Sequence, residues 1–146
     1  MTDRCGAMWQ LLLLLLVAAP LSRASGGELV DLYVGAGCFW HVQKVINLAE
    51  KEVLGRTHDN ITGITGYSGG TDNSKGMCYT NYGDRGHTEV VMIREVPVDL
   101  LPALVDVLWP QLFTGGDRSD DVNRGAEYRA ALGVPGGAAG ALAAAV

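Results

Sequence analysis

The stretch Leu32-Tyr33-Val34-Gly35-Ala36-Gly37-Cys38-Phe39-Trp40 decides how this chain is read. An apolar run passes through three small residues into a thiol, and an amphipathic pattern follows at once. That order predicts a strand, a tight turn and a helix, with Cys38 at the helix N-terminus beside two large aromatic rings. A thiol so placed lies near unpaired backbone N–H groups and the positive end of the helix dipole, both of which favour thiolate over thiol. The position suits a nucleophile. The plain alternative is a buried structural cysteine. Gly35 and Gly37 do not open a dinucleotide-binding turn, because Trp40 occupies the third glycine position.

Working outward, Leu29 to Val34 reads as a first strand and Cys38 to about Leu54 as a helix. Val42, Val45, Ile46, Ala49 and Val53 recur at spacings of three and four, and Gly55 supplies a stop. Ile61 to Tyr67 reads as a second strand. Ser68 to Asp84, rich in Gly, Asn, Asp and Ser, reads as a long loop, and loops of that length are commonly functional. His87 to Val96 is the clearest strand and ends at Pro97. Asp99 is the expected N-cap of a second helix over Leu100 to Phe113, with Leu101, Leu104, Val105 and Leu108 as its core stripe and Pro102 in the first turn. After the Gly115-Gly116 break, Asp117 to Arg124 reads as an acidic loop and Glu127 to Leu132 as a closing strand. The order β-α-β-β-α-β predicts an α+β fold, a two-layer α/β sandwich with a ferredoxin-like core.

The chain has 146 residues and a formal net charge of −5, which fits one domain and gives no nucleic-acid-binding surface. Residues 1–24 read as a signal peptide: Arg4 is basic, Leu11 to Ala19 is apolar, and Ser22-Arg23-Ala24 supplies small residues before a cut. Residues 25–137 then form the domain and 138–146 a Gly/Ala-rich flexible tail. A cleaved leader implies the secretory pathway or secretion, with routing to an organelle as the alternative, and no membrane attachment afterwards. Cys5 leaves with the leader. Cys38 and Cys78 remain, too few for a disulfide framework.

Strand alternation puts His87, Glu89, Val91 and Ile93 on one face. A carboxyl among such neighbours is partly desolvated, and desolvation favours the protonated form. An exposed Glu89 is the alternative, since Val90 and Met92 make the other face apolar too. Tyr79 and Tyr82 fall in the long loop, where each either lines a pocket or anchors the loop. Tyr128, placed in the closing strand, either donates a hydrogen bond or simply packs. Asp117, Asp120 and Asp121 read as a solvated acidic face without calcium-loop spacing. Cys38, His41, Cys78 and His87 offer four zinc ligands in principle, but the second pair is too widely spaced for a knuckle.

Four ordered motifs carry a resemblance. Gly37-Cys38-Phe39-Trp40 resembles the signature of the A-type peptide-methionine sulfoxide reductases. Gly66-Tyr67-Ser68-Gly69-Gly70, Gly86-His87-Thr88-Glu89 and Gly125-Ala126-Glu127-Tyr128-Arg129 are similar to that family's next three motifs, in order. The resemblance covers about Tyr33 to Leu132. It implies reduction of methionine-S-sulfoxide, free or in proteins, as protein repair in the oxidative stress response. Cys38 would be the nucleophile and Glu89 the proton donor. Phe39 and Trp40 would hold the substrate methyl group and Tyr128 the sulfoxide oxygen. It further implies no bound cofactor or metal, and thioredoxin or another thiol as external reductant acting on a monomer. Three departures stand out. No cysteine follows Cys78, Ser74 replaces an oxygen-binding tyrosine whose place Tyr79 or Tyr82 would take, and the aspartate expected about four residues before Gly125 is not found in register, its nearest match being Asn123. The rival readings are a non-catalytic relative that binds oxidised methionine, and a secreted thiol or zinc-binding module.

Overall fold

The computed structural model describes residues 27–72, 76 and 78–145, so the expected leader and Ser74 lie outside the described residues. Strand β1 (Leu29–Gly35) leads into helix α1 (Phe39–Val53), followed by β2 (Ile64–Ser68), β3 (Thr88–Pro97) and helix α2 (Leu101–Leu112). Two short strands, β4 (Phe113–Thr114) and β5 (Asp117–Arg118), make a hairpin, and β6 (Ala131–Gly133) closes the main sheet. That sheet runs in the order β2-β3-β1-β6, with every neighbouring pair antiparallel. The fold is therefore mixed, with an antiparallel sheet and two helices, as an α+β class requires.

The apolar periodicities account for the core. Alternation along β1 turns Val30, Leu32 and Val34 inward, and the register sets Leu32 opposite Ile93 and Val34 opposite Val91. On α1 Val42, Val45, Ile46 and Ala49 of the predicted stripe are buried and Val53 is half-buried, and on α2 Leu101, Leu104 and Leu108 are buried while Val105 is half-buried. The buried side chains join one cluster, and Val53 packs against it. Each fully buried aliphatic side chain in it contributes about 1.5–3 kcal/mol through removal from water.

A bulge interrupts the β1–β3 ladder between Val30 and Leu32. Opposite it, Glu95 takes φ 52, and its N–H donates to Asp31 Oδ1 at 3.2 Å. Close by, Glu50 is fully buried near the C-terminal end of α1. It accepts from Arg56 Nη1 at 2.7 Å and from the hydroxyl of Thr62 at 2.6 Å. Arg56 Nη2 donates in turn to the carbonyls of Arg94 and Glu95. One ion pair thus ties the helix end to the bulged strand.

Three local expectations are corrected. Asp99 does not cap α2: the chain leaves Pro97 through a tight turn over Val98–Leu100, Asp99 falls inside that turn, and no side chain caps the helix. The acidic segment begins as strand β5, because Gly115 and Gly116, both at positive φ, fold Asp117–Arg118 back onto Phe113–Thr114. Glu127 and Tyr128 lie in a one-turn helix (Ala126–Tyr128) and not in the closing strand, whose pairing with Tyr33–Gly35 starts only at Ala131. Toward the end of the chain, Gly137–Ala139 and Ala141–Ala145 form short tight helices, and Leu142 packs against the core. Among the described residues no helix is long and apolar enough to cross a membrane.

Candidate active site

The Gly35-Ala36-Gly37 turn delivers Cys38 to the N-cap of α1 in extended conformation, with no cap hydrogen bond from its side chain. The thiol is partly exposed. Contrary to the expectation of unpaired donors, two carboxyl groups occupy the N–H groups here. Cys38 N donates to Asp120 Oδ2 at 2.8 Å, and Phe39 N donates to Glu89 Oε2 at 2.7 Å. Such capping satisfies orphan donors, and the Asp120 carboxylate places negative charge at the positive helix end. Gly37 makes it possible. Its φ is +99°, and a Cβ there would fall 2.5 Å from Asp120 Oδ2.

Asp120 is thus not on a solvated face, as the acidic run suggested. Burial pushes its carboxyl up, but donors from Cys38, Asn123 and Val122 outweigh that and bring it down to about 2. Asn123 adds its side-chain amide to the same carboxylate at 2.8 Å, so Cys38, Asp120 and Asn123 form one chain of contacts. A carboxyl lowered on folding adds stability above its unfolded value, near pH 4, and loses it as pH falls toward 2. Wild-type protein is therefore expected to lose more stability between pH 6 and pH 2.5 than Asp120→Asn, read from urea midpoints at both pH values. Equal losses would contradict this role.

Glu89 is 1% exposed, which decides between the two readings of its strand face. The hydroxyl of Tyr82 donates to its second oxygen at 2.8 Å. Tyr82 is itself buried, and desolvation first, then the bond to Glu89 and the Tyr128 hydroxyl, drive its phenol far above the ordinary tyrosine value. It keeps its proton throughout the working range. Tyr67, opposite Glu89 in the ladder, stacks on Tyr82 with ring centres 4.4 Å apart.

Phe39 is buried beneath this group, 5.9 Å from Tyr67 and 6.3 Å from Tyr79. Trp40 is 65% exposed and stacks on Tyr79 at 6.1 Å with 13° between the rings. Phe39 forms a floor, and Trp40 and Tyr79 form walls open to solvent. Desolvation, then Tyr128, Glu89 and Cys38, raise the Tyr79 phenol. Tyr128 joins Tyr79 and Tyr82 along a polar cavity of about 340 Å³. The Thr88 hydroxyl holds the turn that carries Tyr128, donating to Glu127 O at 2.8 Å, one residue from Glu89. A separate apolar cavity of about 180 Å³ between α2 and β6 includes none of these residues.

The sequence-derived residues Cys38, Phe39, Trp40, Tyr79, Tyr82, Glu89, Asn123 and Tyr128 therefore converge on one end of α1. Asp120 and Tyr67 join them unforeseen. Asp120-x-x-Asn123 carries the spacing of a side-chain-capped turn, which was a usable signal. Tyr67 belongs to the Gly66-Tyr67-Ser68-Gly69-Gly70 motif, whose pattern gives it no role of its own. His87 is buried and staples the long loop: Nδ1 accepts from Gly70 N at 3.3 Å, and Nε2 donates to the Asp72 carbonyl at 2.9 Å. Among the described residues no three His, Cys, Asp or Glu side chains converge to hold a metal ion. Cys78 is exposed, and its thiol is lowered mainly by the Thr80 hydroxyl, 3.1 Å away. Comparison with known proteins finds no matching family model, no matching curated protein and no matching solved structure.

Proposed function

We propose that this protein is a thiol-dependent reductase of methionine-S-sulfoxide, free or in proteins, on a ferredoxin-like core of the kind its β-α-β-β-α-β element order suggests. The observation that carries the reading is the buried Glu89 carboxyl. It bridges the backbone beside Cys38 and the proton-bearing Tyr82 hydroxyl, under an aromatic clamp open to solvent.

A sulfoxide sulfur is a poor electrophile until its oxygen is protonated or strongly hydrogen-bonded. The Cys38 and Phe39 N–H groups are already bonded to the carboxyl groups of Asp120 and Glu89, so they do not serve as an oxyanion site. The oxygen is therefore held by Tyr128, Tyr82 keeps Glu89 in place through its donated hydrogen bond, and Glu89 supplies the proton. Phe39 and Trp40 take the methyl group, and Tyr79 shields the opposite side. Cys38 sulfur attacks, its S–O bond forms as the substrate S–O bond breaks, and methionine leaves with Cys38 as the sulfenic acid. Two equivalents of an external thiol, or one dithiol of thioredoxin type, then return Cys38 to the thiol, releasing water and a disulfide. Asp120 and Asn123 position Cys38, and the charge of Asp120 serves in place of the aspartate not found in register.

Release of methionine from a sulfoxide peptide in a single turnover checks the reading. Wild-type protein is expected to release about one equivalent, and Cys38→Ser none above background. Equal background release by both proteins would leave a non-catalytic binder. The repair role in the secretory pathway, with a partner thiol there, follows from the same proposal.

A further inference from the structure

We propose that the polar cavity beside the aromatic clamp is a subsite for a cationic side chain, lysine or arginine, flanking the oxidised methionine of a peptide substrate. The inference rests on the reductase reading and names the substrates that reading prefers. The cavity shares Tyr79 with the clamp, borders Tyr82 and Tyr128, and is lined further by Asp84 and Glu127. Its volume, about 340 Å³, suits one long side chain. Neighbouring residues of a peptide are about 3.8 Å apart along the backbone, so a methionine on Trp40 places its neighbour within reach of the cavity.

Neither Asp84 nor Glu127 has an ion-pair partner among the described residues. The nearby cations are engaged elsewhere. Arg85 faces Asp72 at 3.7 Å, Arg129 donates to the carbonyls of Ala126 and Gly86, and Arg118 donates to the carbonyl of Tyr128. Glu127 is also set in place by two glycines: a Cβ at Gly125 would overlap its carboxylate, and one at Gly83 would crowd its Cβ at 3.3 Å. The tyrosine ring faces attract a cation while the two carboxylates supply the countercharge. Uncompensated negative charge around aromatic walls repels an acidic neighbour equally well.

Partly exposed contacts of this kind shift affinity by about three- to tenfold in total, and salt weakens them. Three peptides that differ only in the residue next to methionine sulfoxide (Lys, Ala or Glu) provide the probe. Two readouts are used: kcat/KM with excess reductant, and equilibrium binding to Cys38→Ser protein by fluorescence anisotropy. The order Lys, Ala, Glu is expected in both, with about three- to tenfold between extremes. The spread should shrink toward unity in Glu127→Gln/Asp84→Asn and in about 0.5 M salt. Each single variant shrinks it part-way, which keeps the test intact if the double variant folds poorly. An unchanged spread in the variants, or no order at all, overturns the subsite. Retained order in binding with no turnover of any peptide overturns the reductase reading and supports the subsite.

Discussion

Glu89→Gln is expected to slow methionine release by about 10²- to 10⁴-fold, the range for loss of a positioned proton donor. The substitution keeps the volume and one acceptor oxygen at a site only 1% exposed. It removes the proton that the departing sulfoxide oxygen needs. Substrate binding should change little, because Phe39, Trp40 and Tyr79 are left in place, so the loss should fall on kcat rather than KM. Glu89→Ala is a poorer probe. It would leave the Phe39 N–H and the Tyr82 hydroxyl without their buried acceptor, at about 1–3 kcal/mol for each group. Stopped-flow single turnover with matched circular dichroism distinguishes lost chemistry from lost folding. A Glu89→Gln protein within about threefold of wild type would assign the proton elsewhere, with Tyr82 next in line.

Arg56→Ala should produce the largest loss of stability, about 3–5 kcal/mol, as expected when one partner of a buried ion pair is removed. Glu50 has no exposed surface and takes its charged donor from Arg56. Without it, only Thr62 remains to satisfy the carboxylate. The same guanidinium also caps the Arg94 and Glu95 carbonyls, so the β3 bulge loses donors too. Denaturant midpoints with a shared m-value report the change. The site lies about 16 Å along α1 from Phe39 at the ordinary helix rise. Turnover per folded molecule should therefore hold while stability falls. A loss under about 1 kcal/mol would mean that Glu50 is held by its neutral partners alone.

Much of the fold was legible because its signals are local. The α1 stripe, the alternation of β1 and the β3 run each follow from spacing within a dozen residues, and the sheet buries those same side chains. Errors cluster where short-range geometry competes with pattern. Asp99 is a good cap by residue type, yet a tight turn took its place. Glu127 and Tyr128 look extended in sequence but lie in a one-turn helix, where Thr88 and Arg118 hold their carbonyls. Asp120 could not be placed on Cys38 from sequence, since 82 positions separate them and the turn between β5 and β6 sets the contact. Glu89 was undecided because both faces of β3 are apolar. Its burial depends on Tyr67 and Tyr82 closing over it from other segments.

Mass analysis of Cys38 after one turnover without reductant speaks most plainly to the chemistry. Incubation with a methionine-S-sulfoxide peptide and a sulfenic-acid-trapping dione should place the adduct on Cys38 in step with methionine release. Cys78, held by Thr80 and exposed, should remain unmodified at that stage. Methionine formed with no oxidation on Cys38, or a Cys38 adduct formed equally without the sulfoxide, would contradict a nucleophilic role for this thiol.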